Sequence, residues 1–145
     1  RAYQRFVRER AHTFRGMFER LVEPDAFAVL IHCTAGKDRT GIICALTHIL
    51  FGVNERDMFE DYDLTNRAVD IEKFLPLASE RFNKMLGTNH ETDVFRPFMG
   101  VRNVYLENAL EVMSDAHGSP RNYMTEVLGV TEERADTIRR KYIEA

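Results

Sequence analysis

Residues 26–52 read AFAVLIHCTAGKDRTGIICALTHILFG. The first six residues, Ala26 to Ile31, form an apolar run without alternation, which is typical of a strand covered on both faces. A polar loop follows, and then Thr40 to Phe51 is almost uniformly apolar and ends at Gly52, as expected of a buried helix. The order strand, loop, helix predicts a ligand site in the loop, because open α/β sheets bind ligands at the carboxyl ends of their strands.

The rest of the chain is predicted to be helical. Residues 2–21 carry apolar side chains at helical spacing with arginines between them, which indicates one amphipathic helix with a solvated charged face. Capping residues predict further helices over 55–67, 70–86, 102–116, a short one from 119 to 129, and 132–144.

Only one strand can be recognised, and one strand cannot form a sheet. We therefore expect its neighbours in an N-terminal segment outside this sequence. Residues 1–145 are then a single domain that lacks its N-terminal part, in an α/β fold whose visible portion is mostly helical.

Composition narrows the class of protein. The 145 residues are 44% hydrophobic and 30% charged, which fits one globular domain. A net charge of -3 argues against nucleic-acid binding, and the longest apolar run is far shorter than the roughly 20 residues of a membrane helix. No pair of cysteines and no histidine pattern has metal-ligand spacing, so neither metal nor cofactor is expected.

The two cysteines, Cys33 and Cys44, are too few for a disulfide scaffold. A reducing, cytoplasmic location is the expectation, although a secreted effector with its N-terminus removed would look the same. Cys44 lies within the apolar helix and is interpreted as a packing residue. A protective disulfide with Cys33 under oxidation is the alternative.

The loop carries the residues expected to do chemistry. Cys33 is followed, six positions later, by Arg39 and then by Thr40. Backbone N–H groups of a cradle-shaped loop and the N-terminus of the following helix bind anions and lower the pKa of a thiol at their base. Arg39 can offer a planar, bidentate fork to two phosphate oxygens. This pattern predicts a thiolate that attacks phosphorus while the loop holds a tetrahedral dianion.

Five loop residues are expected to bind substrate. Thr34 and Ala35 supply backbone to the cradle, and Gly36 allows close approach or positive φ. Lys37 either adds positive charge at the rim, which suits substrates with several phosphates, or is merely solvated. Thr40 can direct its hydroxyl at the sulfur and ease its departure.

Asp38 lies inside the loop beside Arg39. Its carboxyl can protonate the leaving oxygen and then activate water. The alternative is that Asp38 only orients Arg39 through an ion pair.

The string HCTAGKDRTG, residues 32–41, resembles the signature of the protein tyrosine phosphatase superfamily, HCxxxxxR followed by Ser or Thr. It is most similar to a microbial branch that acts on phosphotyrosine and, in some members, on phosphoinositides. Weaker similarity covers residues 61–66 and 117–131. The resemblance implies a three-layer α/β fold with a mainly parallel central sheet, no metal, and transfer of phosphate first to cysteine and then to water.

The resemblance also bears on the general acid. In many superfamily members it is an aspartate on a separate mobile loop, which is not identifiable in this sequence and would then belong to the missing N-terminal part. In the microbial branch the resemblance assigns this role to the aspartate equivalent to Asp38.

Two other classes of function remain open. A non-catalytic phosphate-binding module would share the fold, but Cys33 and Arg39 are both present. A thiol redox or sulfur-transfer protein would need a resolving cysteine or persulfide chemistry, and the Arg39-Thr40 pair argues against it. The expected partner is a phosphorylated protein or a phosphoinositide, and the sequence does not indicate an oligomeric state.

Overall fold

The computed structural model describes residues 2–26 and 28–143. Over these residues the chain forms eight α-helices and one 3₁₀ helix. The α-helices are α1 (Ala2–Glu9), α2 (Ala11–Val22), α3 (Asp38–Phe51), α4 (Glu55–Ala68), α5 (Ile71–Leu86), α6 (Asn103–His117), α7 (Pro120–Glu126) and α8 (Glu132–Tyr142), and the 3₁₀ helix is Thr92–Phe98.

Helix α3 lies at the centre of the bundle. It contacts α1, α4, α6, α7 and α8, and its Ile42, Leu46 and Leu50 side chains are fully buried. A helix with apolar residues on all faces can be stable only inside such a shell. The prediction of a buried helix after the loop is therefore confirmed, with its C-terminus at Gly52 in the left-handed region (φ 73°). No helix in the described part of the chain is long and apolar enough to cross a membrane.

Four of the predicted helix starts have side-chain caps, whereas the helix predicted from residue 102 begins at Asn103 without one. Asn54, Asp70, Ser119 and Thr131 each accept a hydrogen bond from the backbone N–H three residues later. Such caps satisfy amide groups that have no partner within the helix. Pro76 lies inside α5 and does not begin it.

The single helix expected over residues 2–21 is two helices in the structure. The chain changes direction at Arg10, whose φ of -120° and ψ of 18° are not helical. Helix α1 packs mainly against α6, whereas α2 packs against α8. The continuous amphipathic pattern is thus divided between two packing partners, and tertiary contacts override local periodicity.

The prediction of a strand over residues 26–31 is wrong. No described residue is in a strand, so the expected three-layer α/β arrangement with a parallel central sheet is not the fold of these residues. Val29 and Ile31 pack against the core, but Leu30 is 87% exposed. An extended segment needs a neighbouring strand to pair its backbone groups, and the described surroundings of this segment are helical. Phe27 lies outside the described residues.

Candidate active site

The loop expected to carry the chemistry links the extended segment to the start of α3. Cys33 is half-buried, Thr34, Ala35 and Gly36 are exposed, and the next four residues are half-buried. Gly36 has a φ of 67°, a conformation that favours glycine, so the backbone turns sharply there. Because α3 begins at Asp38, the positive end of its dipole faces the loop.

The thiol of Cys33 is acidic. Burial acts to raise its pKa, but the Thr40 hydroxyl and the backbone N–H groups of Thr40, Ala35 and Lys37 outweigh it and lower the pKa to about 6. The Thr40 Oγ1 atom is buried and makes no hydrogen bond with any described residue, which leaves the hydroxyl proton available to the sulfur. At neutral pH the sulfur is therefore predominantly a thiolate, the nucleophilic form.

The guanidinium of Arg39 is held across the loop by Thr34. Arg39 Nη2 donates to Thr34 Oγ1 at 3.0 Å. This bond uses one of the five N–H donors of the guanidinium. Cys33, Thr34 and Arg39 thus lie on one loop, with Arg39 and Thr34 in direct contact.

Asp38 contacts groups other than Arg39. Its Oδ1 accepts a hydrogen bond from the Tyr3 hydroxyl at 2.8 Å and lies 3.7 Å from Lys37 Nζ. Across the described residues there is no ion pair between Asp38 and Arg39. The interpretation of Asp38 as a brace for Arg39 therefore has no contact to support it.

Lys37 connects the loop to the last residue of the 3₁₀ helix and to the segment after it. Its Nζ donates to the carbonyl oxygens of Phe98 at 2.7 Å and Gly100 at 2.9 Å, and its side chain is only 13% exposed. Of the two interpretations offered by the sequence, a solvated lysine does not fit this geometry. The ammonium charge is also largely committed to protein acceptors.

An apolar cleft of about 430 Å³ opens beside the loop. Ala35 and Lys37 form its loop side, and α5 with the 3₁₀ helix forms much of the opposite wall. Its apolar lining residues are Val69, Phe74, Leu77, Ala78, Phe82, Met85, Phe98 and Met99. The cleft has room for the organic part of a phosphate ester.

Sequence reasoning missed two tyrosines that adjoin Asp38. The sequence pattern identifies Tyr3 only as one member of an apolar stripe, and Tyr62 only as part of a weakly similar segment. The sequence signal for Tyr62 was Gly41, because a glycine inside an apolar helix indicates that another side chain packs closely against the backbone there. A Cβ atom at Gly41 would lie 2.6 Å from Tyr62 Cε2.

Cys44 behaves as the sequence predicted for a packing residue. Burial raises the pKa of its thiol, which disfavours the thiolate. Both Cys33 and Cys44 are free thiols, so the suggested disulfide is not formed in this structure.

The chain is similar in sequence to known proteins. The chain is 30% identical over 102 residues to a protein of Cupriavidus necator named as a putative tyrosine-protein phosphatase, covering 70% of this chain and 36% of the relative. It is 39% identical over 64 residues to a tyrosine-protein phosphatase of Nostoc commune, covering 44% of this chain and 22% of the relative.

A third relative is the triple specificity protein phosphatase of Mycobacterium tuberculosis, which is 27% identical over 123 residues, or 77% of this chain and 42% of the relative. The chain thus spans less than half the length of each of these proteins. Residues 1–144 match the family model described as the tyrosine phosphatase family. The chain therefore belongs to the tyrosine phosphatase family.

Proposed function

We propose that this chain carries the catalytic loop of a phosphomonoester hydrolase that forms a phosphocysteine on Cys33. The observation that carries the proposal is the convergence of donors on one sulfur. Three backbone N–H groups and the Thr40 hydroxyl favour the Cys33 thiolate, and Arg39 is held at the same loop. A loop that stabilises a thiolate in this way also presents donors to an oxyanion that binds at its mouth.

In the first step the Cys33 sulfur attacks phosphorus. An S–P bond forms while the bond from phosphorus to the leaving oxygen breaks, and that oxygen takes a proton from the Asp38 carboxyl. Arg39 and the loop N–H groups hold the equatorial phosphoryl oxygens, which carry the charge of the transition state. The dephosphorylated alcohol then leaves.

In the second step a water oxygen attacks the same phosphorus. Asp38, now a carboxylate, takes the proton from water, and the S–P bond breaks to release inorganic phosphate. The electron pair of that bond returns to sulfur, where the Thr40 hydroxyl stabilises the thiolate. The enzyme ends in its starting state, with Asp38 protonated and Cys33 ionised.

The substrate that we propose is phosphotyrosine in a protein or peptide. The cleft beside the loop has predominantly apolar walls, which suit an aryl group and apolar neighbouring side chains. Phosphoinositides are less favoured, since the Lys37 ammonium that would meet additional phosphates already donates to two carbonyl oxygens.

The test is hydrolysis by the full-length protein of a phosphotyrosine peptide and of a phosphoinositide panel, with Cys33→Ser as the matched variant. We expect the peptide to be hydrolysed faster than the lipids. Cys33→Ser should abolish turnover and leave phosphate-ester binding largely intact, because only the thiolate is lost. Normal turnover by the variant would contradict the proposal, and binding without turnover by the wild type would favour a non-catalytic phosphate-binding module.

A further inference from the structure

A chain of hydrogen bonds from two buried tyrosines ends on the carboxyl group of Asp38. Tyr3 in α1 is 6% exposed and Tyr62 in α4 is 4% exposed. The Tyr3 hydroxyl lies 2.8 Å from Asp38 Oδ1 and 2.5 Å from the Tyr62 hydroxyl. Side chains of α1 and α4 thus form a hydrogen-bonded chain that ends at the first residue of α3.

The direction of these hydrogen bonds follows from their chemistry. The Tyr3 hydroxyl donates to Asp38 Oδ1, and this oxygen can accept whether the carboxyl group is ionised or carries its proton on Oδ2. Tyr3 therefore donates its single proton to Asp38, and the proton between the two hydroxyls must come from Tyr62. The chain runs from Tyr62 to Tyr3 to Asp38.

Both phenols remain donors at neutral pH. Burial is the main cause that raises the pKa of Tyr62 to about 12, with a smaller contribution from the Asp38 charge. The pKa of Tyr3 is raised further, first by burial, then by its bond to Tyr62 and by Asp38. Neither hydroxyl ionises where a phosphatase with a Cys33 thiolate would work, so the order of the bonds is maintained.

The two carboxylate oxygens of Asp38 have different surroundings. Oδ1 accepts from Tyr3 and faces Lys37 Nζ at 3.7 Å. Oδ2 accepts no hydrogen bond from any described residue. A hydroxyl proton that points at Oδ1 opposes a second proton on the same oxygen, so the carboxyl proton resides on Oδ2.

The close packing of α4 on α3 keeps Tyr62 in place. Its ring lies against Gly41, where a Cβ atom would come within 2.6 Å of Tyr62 Cε2. Glycine at this position lets the ring approach the helix that begins with Asp38. The second tyrosine is thus placed by backbone packing rather than by a mobile contact.

We propose that Tyr3 and Tyr62 are positioning residues that fix the Asp38 carboxyl group with Oδ2 as the proton-donating oxygen. This inference rests on the proposed function, in which Asp38 protonates the leaving group. It assigns to α1 and α4 a part in the reaction that the loop sequence alone does not indicate.

The experiment compares kcat/KM for an alkyl or tyrosyl phosphate with kcat/KM for an activated aryl phosphate. Tyr3→Phe should lower the value for the poor leaving group by about tenfold, as expected for a lost hydrogen bond to a charged group. Tyr62→Phe retains the Tyr3–Asp38 bond and should lower it by about threefold. The activated ester needs little protonation, so its value should change by less than about twofold in both variants.

Tyr123→Phe is the matched control. The buried Tyr123 hydroxyl also bonds α1, at the Val7 carbonyl 2.9 Å away, but it has no link to Asp38. This variant should leave the ratio of the two kcat/KM values unchanged. Equal losses for both esters in Tyr3→Phe and Tyr62→Phe would show a merely structural effect and overturn the inference.

Asp38→Asn separates failure of this inference from failure of the proposed function. If the loss of kcat/KM depends on the leaving group in Asp38→Asn but not in either Phe variant, only the role of the tyrosines is refuted. If Asp38→Asn itself shows no such dependence, the acid role of Asp38 is refuted. In the Asp38→Asn background, Tyr3→Phe should have no further effect on the ratio, and a persisting effect would contradict positioning through Asp38.

Discussion

Hydrogen bonding outweighs burial in setting the pKa of the Cys33 thiol. Burial alone would raise the pKa of the thiol, yet donors from Thr40, Ala35 and Lys37 bring the pKa to about 6. Cys44, eleven residues later in α3, has no such donors, and burial raises its pKa. The same residue type therefore has an acidic thiol in the loop and a thiol with a raised pKa in the helix.

The difference between the two thiols predicts the pH dependence of alkylation. The rate at Cys33 should rise with pH and level off with a midpoint of about 6, because the folded protein lowers the pKa of this thiol. Thr40→Val should move the midpoint upward by about one unit, since one donor to the thiolate is lost. Mass spectrometry of iodoacetamide-treated protein gives the site-specific rates.

Cys44→Ser is the control for this measurement and should leave the midpoint at Cys33 unchanged. A midpoint near the ordinary thiol pKa of about 8.5 would contradict an activated Cys33.

At the scale of elements, the junction of α3 and α4 depends on Gly41. The Tyr62 ring occupies the space where a side chain would begin. Gly41→Ala should therefore destabilise the protein by about 1–3 kcal/mol through overpacking. Urea denaturation measures the change in the free energy of unfolding.

Gly16→Ala supplies the comparison for that prediction. Gly16 lies in α2 with no atom within 4 Å of an added Cβ, and alanine favours helix over glycine by about 0.5–1 kcal/mol. Opposite signs for the two alanine variants are expected. A Gly41→Ala protein as stable as the wild type would mean that the Tyr62 ring is not fixed against α3.

Local signals predicted the helices well, because a capping side chain accepts a hydrogen bond from an N–H group only three residues further along the chain. Asn54 and Thr131 bind the adjacent first turns, so the sequence alone locates those helix starts. The break at Arg10 and the absence of a strand over 26–31, among the residues described there, depend on distant packing partners, which no local pattern contains. The apolar run led to the wrong prediction because it was taken to be buried on both faces, whereas the apolar side chain of Leu30 is exposed.

The residues of the candidate site also divide into those that are close in sequence and those that only the fold brings together. Cys33, Thr34 and Arg39 lie within seven consecutive residues, so their proximity could be predicted. Tyr3 reaches Asp38 across 35 positions of sequence and Tyr62 reaches Tyr3 across 59. Only the packing of α1 and α4 on α3 brings these residues together.

For the molecule as a whole, the helical bundle serves to hold one loop. Helix α3 directs its N-terminus at the loop, and Tyr3 of α1 bonds Asp38 while Tyr62 of α4 bonds Tyr3. Lys37 connects the loop to the end of the 3₁₀ helix and the residues after it. The cleft formed largely by α5 and the 3₁₀ helix adjoins the same loop. Together these contacts support the proposal that Cys33 accepts a phosphoryl group.

The most direct test is to trap the phosphorylated intermediate. Asp38→Asn in the full-length protein should still accept phosphate from an activated aryl ester, because that leaving group needs no proton, but it should activate water slowly. The intermediate then accumulates, and acid quenching followed by peptide mapping by mass spectrometry should find phosphate on Cys33. Phosphate on another residue, or turnover that persists in the Cys33→Ser variant, would contradict the account.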